Sequence, residues 1–145
     1  MKWGEITWTT LHTISMVIPE QQYGSIKNEL MFHTKRLCNN LPCPDCTQHA
    51  SDFMRNIKVP DTLLEYQRLM HFFHNTVNAR LGKPVVSFDH LDKYKKFNLT
   101  FVFHSFMKIL KNQPYNPRLS MNKMGTANCL HAFYVFLGKN GLITK

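Results

Sequence analysis

The sequence predicts an all-α protein: a bundle of four main helices with a short fifth, followed by a C-terminal extension. Three observations carry that expectation. Apolar residues recur at steps of three and four along four successive stretches, prolines and a glycine punctuate those stretches at short intervals, and Val85-Val86 is nearly the only strand signal.

The elements follow in chain order. Trp8, Leu11, Ser15 and Ile18 mark a first helix, closed by Pro19. Ile26, Leu30, Thr34 and Leu37 mark a second, ending at Asn39-Asn40-Leu41-Pro42. Cys46, Ala50, Phe53 and Ile57 form a third, stopped by Pro60, after which Asp61 is the expected N-cap of the next. The fourth is the clearest: Leu63, Tyr66, Met70, Phe73, Val77 and Leu81 share one face, with Gly82 and Pro84 at its end. A shorter helix is expected after Ser87, carrying Leu91, Tyr94 and, at its edge, Phe97.

Residues 99–145 are less legible. Leu99–Leu110 suits a helix or a strand, Gln113–Arg118 reads as a proline-interrupted loop, and Cys129–Leu137 is apolar. The expected division is therefore a helical domain over 1–98 and a basic extension over 99–145 packed on the bundle.

Composition narrows the function classes. At 145 residues, with 43% hydrophobic and 19% charged residues, the chain suits one ordinary domain with a real core and not a disordered one. No apolar run is long enough to span a bilayer, and the start MKWGEITW has neither a secretory nor a transit-peptide pattern, so a soluble, cytoplasmic protein is expected. The net charge of +9 is unevenly spread, because no acid follows Asp92. Such a tail suits phosphate, acidic proteins or anionic lipid, and serves equally as a solvated basic face. Few aromatic and basic residues alternate there, which argues against a nucleic-acid module.

Four cysteines stand at 38, 43, 46 and 129. Cys43-Pro44-Asp45-Cys46 has the spacing of a redox-active pair at a helix start, where free N–H groups and the helix dipole favour a thiolate. Spacing alone leaves other uses open. Cys43, Cys46 and His49 suit three zinc ligands with Cys38 or Cys129 as a fourth, and an inert buried pair is a third possibility. A thioredoxin-like reading is poorer, since no strand precedes the motif.

The fourth helix carries a second signal. His71, His74, Asn75 and Asn78 form a polar row beside its apolar face, with Arg80 and Lys83 at its end. Imidazole and amide groups can bond ring edges and ribose hydroxyls, and the two cations can meet a pyrophosphate. A solvated face explains the same row. Trp8 and His12, four apart on the first helix, could stack on and bond to an aromatic cofactor, or form part of the core. No glycine-rich dinucleotide fingerprint is present.

In order and spacing, these pieces resemble the Erv/ALR flavin-linked sulfhydryl oxidases, most closely the short forms of large cytoplasmic DNA viruses. The matching residues are Gly4-x-x-x-Trp8-x-x-Leu11-His12, Leu41-Pro42-Cys43-Pro44-Asp45-Cys46-x-x-His49, and His74-Asn75-Thr76-Val77-Asn78-Ala79-Arg80-Leu81-Gly82-Lys83-Pro84. The last run is the most specific; together they span roughly residues 3–97. The resemblance implies a four-helix bundle with a short fifth helix that binds FAD and forms a homodimer. It implies cofactor contacts from Thr7, Trp8, His12, His74, Asn75, Val77, Asn78, Arg80 and Lys83, and no metal. Cys46 would lie nearest the flavin, and Cys43 would meet substrate. The implied function is an FAD-dependent thiol oxidase: electrons pass from protein thiols to the Cys43–Cys46 disulfide, then FAD, then oxygen, giving hydrogen peroxide.

Two family features are missing. No cysteine stands just after the Lys83-Pro84 element, in Val85-Val86-Ser87-Phe88-Asp89, where many members close a structural disulfide, and no second CxxC is present to relay electrons. Substrate is thus expected to reach Cys43 directly, for example as a redox protein with its own dithiol. Host cytoplasm, a viral assembly site or the virion are the expected locations, with a peripheral membrane contact left open for the extension. The rival reading is a non-enzymatic, zinc-stabilised helical adaptor that grips an acidic partner. A flavin-free disulfide isomerase is a third.

Overall fold

The structure, a computed structural model, describes residues 1–114 and 120–144, with side chains in the last helix from Lys123 onward. It is all helical: α1 (Trp3–Val17), α2 (Glu20–Cys38), α3 (Pro44–Met54), α4 (Leu63–Leu81), a 3₁₀ helix (Phe88–Lys96), α5 (Leu99–Lys111) and α6 (Ser120–Lys139). Most of the expected 113–118 loop lies outside the described residues.

Local chemistry sets the helix ends. Pro44 occupies the first turn of α3, and Cys43 is its N-cap. The N-cap of α4 is Thr62 and not Asp61: the Thr62 hydroxyl accepts the Glu65 N–H at 3.1 Å, while the Glu65 carboxylate accepts the Asp61 N–H at 3.0 Å. Asp61 stands one residue too early to reach the helix's free donors and faces Lys27 instead. At the other end Gly82 adopts φ 71°, and Lys83 N–H donates to Asn78 O at 2.8 Å. This left-handed cap reverses the chain so that residues 84–86 run back along α4.

The short fifth helix is present but is a 3₁₀ helix. Phe88, Leu91, Tyr94 and Phe97 recur every three residues, which keeps them on one line only at three residues per turn. Leu91 and Tyr94 are buried on that line.

Helix α1 is central, contacting α4, α5 and the 3₁₀ helix, while α6 packs on α2 and α5. It is accordingly buried on more than the stripe its apolar residues trace. Thr7, Thr10 and Thr13 are buried, and each returns its hydroxyl to the carbonyl four residues back at 2.6–2.7 Å, so no donor is lost.

The stretch Leu99–Leu110, open between helix and strand from sequence, is helical. Phe103 and Phe106 of α5 and Phe133 and Phe136 of α6 are fully buried in one core with Leu11, Ile14, Leu30 and Tyr66. Helix α6 also braces the loop before α3, with Thr126 Oγ1 donating to Asn40 O at 2.6 Å. A Cβ on Gly125 would stand 2.5 Å from Asn40 Oδ1, so a larger residue there would have to displace the Asn40 side chain.

Candidate active site

A cavity of about 890 Å³ opens among α1, α3, α4 and the 3₁₀ helix. Helix α1 contributes Thr7, Trp8 and His12. Helix α4 contributes His74, Val77, Asn78 and Arg80, and Lys83 lies beyond its cap. Cys46 is on the wall as well. The fold thus gathers from three separate stretches most of the residues expected to hold a cofactor, and sets one sulfur of the dithiol beside them.

At the centre is a set of stacked rings. Trp8 and His74 lie face to face, 4.2 Å between centroids and 11° apart. His12 Nε2 and His74 Nδ1 share one hydrogen bond at 2.9 Å, and Tyr94 stands 5.2 Å from the His12 ring. Phe73 meets Trp8 edge-on and stacks on Phe53, tying this set to the core.

Burial governs the charge state. It lowers His12 to about 3, with the His74 imidazole adding to the effect. It lowers His74 to about 4, with His71 and Lys83 nearby. Both are neutral at physiological pH, so one ring donates and the other accepts. His12 Nδ1 is buried and has no hydrogen-bond partner in the chain. An orphan of this kind on a cavity wall is a place for a ligand atom.

The polar row of α4 divides between two tasks. Asn75 is absent from the described cavity lining. Its amide accepts the Val86 N–H and donates to Val86 O, both at 2.9 Å, and the His71 ring meets the same carbonyl at 2.6 Å. Asn78 does both: it lines the cavity and donates to Pro84 O at 3.3 Å. Three of the four therefore pin the returning segment 84–86, which follows directly on Lys83 in the cavity wall.

Cys43 and Cys46 are joined by a disulfide at the start of α3. Cys43 Sγ accepts the Cys46 N–H at 3.3 Å, the capping position where a negative sulfur is stabilised. Cys38 and Cys129 are free and buried, and burial pushes their thiols up to about 12 and about 11. Among the described residues no group of three His, Cys, Asp or Glu side chains is placed to hold a metal ion.

Several lining residues were not anticipated. His90, Lys93 and Tyr94 come from the 3₁₀ helix, Trp3 from the start of α1, and Gln113 from beyond α5. The three-residue period of the 3₁₀ helix was the available signal for Tyr94. Nothing local marks Gln113.

The Erv1/Alr family model matches residues 5–98, the stretch that builds α1 to α4, the 3₁₀ helix and most of the cavity wall. The chain belongs to the Erv1/Alr family. It is 30% identical over 92 residues to a protein of Invertebrate iridescent virus 6 with the provisional name FAD-linked sulfhydryl oxidase 347L, covering 58% of this chain and 83% of that one. It is 31% identical over 90 residues to FAD-linked sulfhydryl oxidase ERV1 of Arabidopsis thaliana, covering 61% of this chain and 47% of the plant protein. The FAD-linked sulfhydryl oxidase of African swine fever virus is 28% identical over 88 residues, covering 60% of this chain and 74% of that protein. The match thus spans most of the viral relatives but under half of the plant one. No solved structure matches the chain. The Erv1/Alr match stops at the end of the 3₁₀ helix, so α5 and α6 lie beyond it.

Proposed function

We propose that the chain is an FAD-dependent thiol oxidase that makes disulfide bonds in protein substrates. The observation that carries this reading is that Cys46 shares a cavity wall with the Trp8–His74 stack and the orphaned His12 Nδ1. Relatives named as FAD-linked sulfhydryl oxidases support it.

The residues present fit FAD. The cavity lies within the range of about 300–1,000 Å³ typical of cofactor sites. Trp8 and His74 offer aromatic faces, His12 Nδ1 and Asn78 offer polar atoms, and Arg80 and Lys83 offer charge for a pyrophosphate. Thr7 and Val77 complete the wall, and Asn75 acts one step back by fixing Val86. When bound, FAD supplies a two-electron acceptor that oxygen reoxidises with release of hydrogen peroxide.

The chain's own part is thiol–disulfide exchange. A substrate thiolate attacks Cys43 Sγ, the Cys43–Cys46 bond breaks, and Cys46 leaves as a thiolate on the cavity wall. A second substrate thiolate then attacks the substrate sulfur of the mixed disulfide. Cys43 is released to the helix start, where the Cys46 N–H meets it. The substrate loses two electrons as its disulfide forms; overall, a dithiol and oxygen give a disulfide and hydrogen peroxide. Thiol-bearing proteins, including a redox partner with its own dithiol, are the substrates this scheme requires. A homodimer would have to use surfaces other than those of α1 and α2 that α5 and α6 cover.

The purified protein should be yellow with a flavin spectrum and should consume oxygen with dithiothreitol. Cys46→Ser should keep the spectrum and lose turnover. A colourless protein, or a fully active Cys46→Ser variant, overturns the reading.

A further inference from the structure

The layer formed by α5 and α6 has an outer surface that the thiol oxidase reading does not use. Phe101, His104, Lys108 and Lys111 recur at steps of three and four along α5, and all four are exposed. Phe101 is 73% accessible although it is a large aromatic residue. On α6, Met124, Asn128, His131 and Val135 form a second exposed line, with Met124 72% and Val135 49% accessible, and Lys123 and Lys139 nearby in sequence. The opposite faces of both helices are in the core, so these two lines point outward.

Charge distinguishes this surface from ordinary exposed apolar residues. No acid occurs anywhere after Asp92. Among the described ion pairs, Lys139 binds Glu29 and Lys95 binds Asp92, while Lys108, Lys111 and Lys123 have no acidic partner. Isolated bulky apolar groups between uncompensated lysines suit a medium that is apolar just beneath an anionic layer. A single-stranded nucleic acid could stack on the rings of Phe101, His104 and His131, but it offers no apolar medium for the exposed aliphatic groups of Met124 and Val135.

We propose that the outer face of α5 and α6 docks on an anionic lipid bilayer, with Phe101 and Met124 entering the headgroup region and Lys108, Lys111 and Lys123 facing the lipid phosphates and carboxylates. The helices lie on the membrane and do not cross it: no described helix is long and apolar enough to span one. The surface lies wholly outside the family match, so it belongs to this chain's extension and not to the shared domain. The dithiol lies at the start of α3, and the described cavity wall is built from other elements except for Gln113, just beyond α5.

Co-sedimentation of the full chain with vesicles tests this directly. With about 30% phosphatidylserine at roughly 0.1 M salt the protein should pellet, and with pure phosphatidylcholine it should stay in solution. The double variant Lys108→Glu/Lys111→Glu should weaken partitioning at least about tenfold. Phe101→Ser should weaken it roughly threefold or more. Neither change should alter the melting temperature or oxygen uptake. Equal binding to both vesicle types overturns the proposal. So does a Phe101→Ser variant that partitions like the parent, or RNA binding as tight as vesicle binding, since either result reduces the surface to a general polyanion site.

Discussion

Acid should destabilise this protein through the His12–His74 pair, before any carboxylate of ordinary pKa is titrated. Both imidazoles take up protons less readily folded than unfolded, because burial disfavours their charged forms. Below about pH 6.5 the unfolded chain therefore binds more protons than the native one, and stability falls as pH drops. The loss grows until the folded values near 4 and 3 are reached. At about pH 5.5, an imidazole protonated in the unfolded chain and neutral in the fold costs about 1.4 kcal/mol, and His12, which is fully buried, should show all of it. His74 is partly open to solvent, so roughly half that figure applies, giving about 2 kcal/mol for the pair. Urea unfolding in steps between about pH 7.5 and 5.5 measures the loss. His33 is also lowered by burial and contributes in the same window, so the decisive comparison is with His12→Leu, in which His33 is unchanged. That variant should lose about 1.4 kcal/mol less stability over the interval than the parent. If both proteins lose the same amount, His12 is not held neutral, and the electrostatic account of the cavity is wrong.

Three further outcomes follow from the packing. Cys129→Ser should keep oxygen uptake with dithiothreitol close to the parent rate, because its thiol is buried and held protonated; a large loss would give Cys129 a place in the electron path. Phe133→Ala should lower unfolding stability by about 3–5 kcal/mol, since Phe133 is 1% accessible and packs on His33 and Phe103; a change under about 1 kcal/mol in urea titration would show the core collapses around the gap. Truncation after residue 98 should yield a chain that self-associates in light scattering, because it strips α5 and α6 from α1 and α2. A folded, monodisperse monomer would show that those faces tolerate water.

What the sequence determined by itself is what neighbouring residues decide. The bounds of α4 were legible from its stripe and from Gly82, since periodicity and a left-handed cap act within a few residues. The dithiol's place at a helix start was legible for the same reason, as Pro44 and the free N–H groups of α3 are local. A short fifth helix after Ser87 was legible from Leu91 and Tyr94, but that it is a 3₁₀ helix was not read from the sequence.

Tertiary structure decided the rest, because the side of a helix a residue uses depends on partners distant in the chain. The row His71, His74, Asn75 and Asn78 reads as one surface, yet only the return of residues 84–86 shows that Asn75 holds backbone while His74 turns to Trp8 and His12. The threonines of α1 look like solvent positions until α4, α5 and the 3₁₀ helix enclose them and their hydroxyls turn back to the helix carbonyls. Likewise, Leu99–Leu110 was ambiguous because a short apolar run suits either a helix or a strand. Packing against α1 and α6 made it a helix, with Phe103 and Phe106 in the common core. Spacing along the chain sets what can form, and burial against remote elements selects which polar group is left facing a cavity.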